Sequence, residues 1–124
     1  MIINADTVEY GIDDDQIMFV WFGNTQIKPL EYFKIELAEE FDEQDVESGM
    51  DTYYIELNDQ IYSTYAGIEE VSVSEGKINF KLDKTGFESL KQNSLEIGLH
   101  LNSKEYDGLK SLLKQIFKKI YNSN

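Results

Sequence analysis

Apolar residues recur at every second position through most of the chain, and that period predicts strands. Phe33, Ile35 and Leu37 alternate with Lys34 and Glu36; Tyr53, Ile55 and Leu57 alternate with Tyr54 and Glu56. Asn58-Asp59 then reads as a hairpin turn into a strand over Ile61-Tyr62-Ser63-Thr64-Tyr65. A second hairpin is clearer: Val71 and Val73 alternate with serines, Glu75-Gly76 turns the chain, and Ile78, Phe80 and Leu82 return it. Leu95, Ile97, Leu99 and Leu101 form a further alternating strand. The run Ile17-Met18-Phe19-Val20-Trp21-Phe22 has no polar partner positions. It predicts a central strand buried on both faces, ended by Gly23-Asn24, with Trp21 in the core.

The period changes to helical twice. Thr85-Gly86-Phe87-Glu88 resembles a capping box, in which a hydroxyl and a carboxylate each satisfy a free N–H, and predicts a short helix through Leu90. Asn102-Ser103-Lys104-Glu105 opens the longer one, and Tyr106, Leu109, Leu113, Ile116, Phe117 and Ile120 fall on one face. The expected architecture is therefore α+β: an antiparallel sheet, a short helix before the last strand, and a C-terminal amphipathic helix packed on one face.

Composition bounds this reading. A length of 124 residues with 41% hydrophobic and 13% aromatic content predicts one domain over residues 1–124, with a core that needs no staples. The absence of cysteine excludes disulfides, thiolate zinc sites and cysteine nucleophiles. The N-terminus lacks a basic region followed by an apolar one, and the longest apolar run is far too short to span a bilayer. A soluble, cytoplasmic protein without membrane contact is expected.

Charge is what moves the picture towards function. The formal net charge is −13, and every one of the 11 basic residues is lysine. Without arginine's bidentate fork, and with that repulsion, nucleic-acid binding is disfavoured; basic partners are favoured. Of the 24 acids, 19 lie in residues 1–76, which hold only 2 of the 11 lysines. The densest stretch runs from Glu36 to Glu47. Such a stretch is read either as a solvated loop or as a negative surface shaped for a basic partner.

Equipment for catalysis is sparse. His100 is the one histidine, and it stands out of phase with the apolar positions around it, so it should face solvent. Without a second histidine or a cysteine, the common nucleophile–base arrangements shrink to unusual variants. No phosphate loop, dinucleotide glycine pattern or paired-histidine zinc motif occurs, and Asp13-Asp14-Asp15 lacks the glycine and distal glutamate of a calcium loop. No cofactor, metal or catalytic residue is assigned. The tyrosines Tyr53, Tyr54, Tyr62 and Tyr65 instead cluster on neighbouring strands. Each alone is a good strand residue, but as a group beside acids they make a protein-binding surface.

The segments Tyr54-Ile55-Glu56-Leu57-Asn58-Asp59-Gln60 and Tyr65-Ala66-Gly67-Ile68-Glu69-Glu70-Val71, with the Glu105-Tyr106 helix carrying Leu109, Leu113 and Phe117, resemble the immunity protein 10 family of bacterial polymorphic toxin systems. The resemblance covers residues 50–120, chiefly as hydrophobic spacing plus Glu56, Gln60 and Gly67-Ile68-Glu69. It implies a cytoplasmic antidote, encoded beside a toxin, that binds the toxin domain and blocks it without catalysis. A basic toxin such as a nuclease would suit the acidic surface. The expected contact surface comprises Glu39, Glu40, Asp42, Glu43, Asp45, Glu47 and Asp51 with Tyr54, Tyr62 and Tyr65. Glu56, Gln60 and Glu69 read equally well as structural or as binding residues. The alternative is a non-catalytic interaction module, homodimeric through an exposed sheet face or edge; a two-carboxylate enzyme ranks third.

Overall fold

Main-chain hydrogen bonding gathers the alternating segments into two five-stranded sheets. The computed structural model describes residues 1–123. The strands are β1 (Ile2–Asn4), β2 (Thr7–Ile12), β3 (Ile17–Asn24), β4 (Glu31–Ala38), β5 (Tyr54–Leu57), β6 (Asp59–Tyr65), β7 (Ile68–Ser74), β8 (Lys77–Leu82), β9 (Ser94–Gly98) and β10 (Tyr121–Ser123). The helices are α1 (Glu43–Glu47), α2 (Lys84–Leu90) and α3 (Ser103–Phe117). One sheet has the order β2-β3-β4-β5-β6 and is antiparallel throughout. The other has the order β1-β9-β8-β7-β10, with parallel pairing of β1 to β9 and of β10 to β7 at its two edges.

The α+β class holds, and the details depart from expectation at identifiable points. There are two sheets where one was expected, and β10 follows α3, so β9 is not the last strand. β1 and β10 are three residues each, too short to show a period, and only tertiary pairing makes them strands. β9 ends at Gly98, although Leu99 beyond it is still buried. α2 begins two residues earlier than the threonine suggested. Its N-cap is Asp83, whose carboxylate accepts from the Gly86 N–H at 2.9 Å, and Thr85 lies inside the helix. α3 starts as expected, with Asn102 and Glu105 forming a reciprocal capping box.

The inner faces of the sheets meet through rings. Phe80 of β8 lies 6.2 Å from Phe22 of β3 and 5.1 Å from Phe33 of β4. Val20, Ile35, Ile55, Val71, Ile78, Leu95 and Ile97 fill the same continuous cluster and are fully or almost fully buried. α3 adds Leu109, Leu113 and Phe117, and the Phe117 ring packs edge-on against Tyr53 (4.9 Å) and Phe80 (6.1 Å). Each such side chain contributes about 1.5–3 kcal/mol when taken fully from water, so this cluster sets the register of both sheets. Two phenols bind α3 to both sheets: Tyr10 of β2 donates to the Glu105 carbonyl at 2.9 Å, and Tyr106 donates to the Ser74 carbonyl.

α2 is placed by a backbone contact. Gly67 (φ +105°) accepts from the Asp83 N–H at 3.0 Å, and a β-carbon on Gly86 would fall 2.1 Å from the Gly67 carbonyl oxygen. The Gly67-Ile68 segment is thus where β7 starts and α2 docks. No helix among the described residues is long and apolar enough to cross a membrane.

Candidate binding surface

With Val20, Phe22, Phe33, Ile35, Ile55 and Leu57 committed to the core, the period of two sends their neighbours to the other side of the β2–β6 sheet. Trp21 pairs with Lys34 across β3 and β4, Lys34 with Glu56 across β4 and β5, and Glu36 with Tyr54. Tyr54 pairs in turn with Tyr65 of β6. This outer face is therefore built of aromatic and charged residues in register. Trp21 belongs to it, half-buried, and not to the core: the all-apolar run hid an ordinary alternation in which Met18, Val20 and Phe22 point inwards.

Trp21 lies flat along its own strand. A β-carbon on Gly23 would fall 2.2 Å from the indole, and Tyr32, the residue opposite Gly23, stacks on the same ring at 6.0 Å and 15°. Tyr32 is held at both ends. Its main chain exchanges hydrogen bonds with Asn58, whose side chain accepts from the Tyr32 N–H at 2.8 Å. Its hydroxyl donates to Glu56 Oε2 at 2.5 Å. Tyr54 donates to the other oxygen, Glu56 Oε1, at 2.6 Å. Lys34 Nζ lies 3.8 Å from Glu56, 3.5 Å from Glu36 and 5.8 Å above the Tyr54 ring.

Glu56 is 8% exposed. Burial opposes its ionisation, but the two phenol hydrogen bonds and Lys34 outweigh it and hold the carboxyl below its ordinary range. Burial and the carboxylate beside them push both phenols the other way, Tyr54 to about 12 and Tyr32 further still. At neutral pH the group is thus one carboxylate accepting from two neutral phenols, with an ammonium alongside. Such a set orients side chains; it presents no free base or nucleophile.

The acidic stretch runs beside this face. It is not wholly a loop: Asp42 caps α1 and shares a reciprocal capping box with Asp45. Phe41, Asp45 and Met50 from this connection close one side of a groove of about 390 Å³ whose floor is Lys34, Glu36, Tyr54 and Glu56 and whose far wall includes Tyr65. Of the sequence-derived contact residues, the groove gathers Asp45, Tyr54 and Tyr65. Glu39, Glu40, Asp42, Glu43, Glu47 and Asp51 are exposed along the same connection without lining it. Tyr62 stands on a bulge of β6 outside the groove, where Gln60, Ile61 and Tyr62 intervene between the partners of Glu56 and Leu57.

The remaining candidates separate cleanly. Tyr53 is a core residue: its hydroxyl accepts from the Ile68 N–H at 2.9 Å. Gln60 lines the groove, Glu69 is exposed and paired with Lys81 at 2.8 Å, and His100 faces solvent. Sequence reasoning missed Trp21, Tyr32 and Lys34. Gly23 beside a tryptophan was the available signal, since a glycine inside a strand often marks a side chain or backbone approaching closely.

The immunity protein 10 family model matches residues 4–107, from the end of β1 into α3. The chain belongs to the immunity protein 10 family. No curated protein and no solved structure matches it.

Proposed function

We propose that this chain is the antidote to a cognate bacterial toxin: residues 1–124 act as one domain that binds the toxin and occludes its working surface, with no chemistry of its own. Family membership over residues 4–107 supports the class of function. The observation that carries the mode of action is the outer face of the β2–β6 sheet. It presents rings and carboxylates in register, and the acidic connection around α1 lies along its flank. A surface of that kind suits a basic partner, which the exposed acids Glu39, Glu40, Asp42, Glu43, Glu47 and Asp51 attract over distance while Asp45, Tyr54 and Tyr65 make contact; Tyr62 adds exposed ring area at the rim. The cytoplasm is the compartment in which a producing cell needs such protection.

The test is co-expression with the toxin-like gene encoded beside it. Restored growth and co-purification of the two chains support the reading. Unrelieved toxicity with no complex overturns it.

A further inference from the structure

Charge brings partners together, but complexes persist through rigid, desolvated anchors. The outer face of the β2–β6 sheet carries four rings in a row across four adjacent strands: Trp21, Tyr32, Tyr54 and Tyr65. They form two pairs, Trp21 stacked on Tyr32 and Tyr54 tilted against Tyr65 at 5.3 Å. Glu56 joins the pairs by accepting the hydroxyls of Tyr32 and Tyr54 on its two oxygens. It is the one charged side chain among the described residues that is buried, and it sits on the outer face, away from the hydrophobic cluster between the sheets. An ionised carboxylate out of water costs several kcal/mol unless it is paired and hydrogen-bonded. Register does not require it, because the inner face already sets that. What Glu56 holds is the row.

The chemistry around the row selects its occupant. Its one lysine, Lys34, is already matched to Glu36 and Glu56. Glu9 and Asp13, which line a concavity of about 350 Å³ on the Trp21 side, and Asp45 on the Tyr54 side meet no lysine within 4 Å among the described residues. Asp13 and Asp45 accept main-chain N–H groups but keep their charge, and rings flanked by carboxylates with no lysine partner favour a cation that can lie on an aromatic face, arginine above all.

We infer that the row from Trp21 to Tyr65 is the anchoring surface for an arginine- or lysine-bearing patch of the toxin, and that Glu56 is its positioning residue. The partner's identity rests on the antidote reading; the chemistry of the surface does not. An arginine hexapeptide amide is therefore a suitable probe, followed by the fluorescence of Trp21, the only tryptophan, and by ring resonances. The peptide should shift the rings of Trp21, Tyr32, Tyr54 and Tyr65. Glu56→Gln and Glu88→Gln, the latter on exposed α2, each remove one negative charge, but only the first should weaken binding, roughly three- to tenfold, as expected for a lost cation–π and hydrogen-bonded site. Where Glu56→Gln does not fold, Tyr32→Phe combined with Tyr54→Phe keeps the rings, frees them from Glu56, and should weaken binding similarly. Equal losses in the two glutamine variants, or shifts confined to residues 39–51, overturn the inference. Neither result touches the antidote reading, which stands or falls on growth protection.

Discussion

Trp21 covers Gly23, its neighbour two residues along the same strand face, so closely that a β-carbon at residue 23 would lie 2.2 Å from the indole. The glycine is what allows a tryptophan to lie flat on an open sheet and stack on Tyr32. Gly23→Ala should lift the ring, cost about 1–3 kcal/mol as an overpacked contact, and shift Trp21 fluorescence towards that of an exposed indole. Chemical denaturation followed by that fluorescence reads both effects. An unchanged emission maximum would contradict the close packing.

Gly86→Ala should be comparably or more costly, about 2–3 kcal/mol, because the obstruction is the Gly67 carbonyl oxygen at 2.1 Å and backbone cannot step aside as a side chain can. The midpoint of urea unfolding checks it.

Helix α3 depends on its first turn. Asn102→Ala removes the acceptor for the Glu105 N–H (2.8 Å) and should destabilise the fold by about 1 kcal/mol. Asn102→Asp should restore it, again by urea midpoint.

The Glu56 group predicts opposite behaviour at the two ends of the pH scale. Glu56 has a folded pKa below its ordinary 4.5, so its contribution is present above that value and is lost as pH falls through the lower folded pKa. Tyr54 is raised from 10.0 to about 12, so its contribution is complete below 10 and is lost as pH rises through about 12. Ultraviolet titration of the tyrosines should show Tyr54 and Tyr32 ionising above the ordinary phenol value of 10.0. In Glu56→Gln both should titrate earlier, though not at the ordinary value, because burial still opposes the charged form.

The sequence made the core legible and left the outer face of the β2–β6 sheet only partly so, for reasons that individual residues show. Hairpin 71–82 and helix α3 were readable because apolar period, turn glycine and capping box all agree there. The outward placement of Tyr54, Tyr65 and the acids around α1 was readable, because each alternates with core positions or stands in a charged run. Trp21 was not, since its neighbours in the run from Ile17 to Phe22 are apolar on both faces and conceal the alternation. Tyr32 and Lys34 gain their meaning only from cross-strand register with Gly23 and Glu56, which no local pattern encodes. The split into two sheets was hidden likewise, because no local pattern shows that β6 and β7, consecutive in sequence, belong to different sheets.

Division of labour between the acids and the rings gives a kinetic prediction. Charge reversal at Glu39, Glu40, Asp42 and Glu43 should slow association with the toxin by about tenfold at low salt and flatten its salt dependence, with dissociation little altered. Tyr54→Ala should instead speed dissociation. Surface plasmon resonance across a salt series separates the two, and an association rate unaffected by the four reversals would reduce the stretch to a solubilising segment.

The proposed occlusion is tested most directly by titrating the purified chain into the domain of its cognate toxin while following that domain's activity. The account predicts activity falling linearly to zero at an equimolar ratio, with recovery when Trp21→Ala and Tyr54→Ala are combined in the antidote. Full toxin activity in the presence of a several-fold excess of the wild-type chain would contradict it.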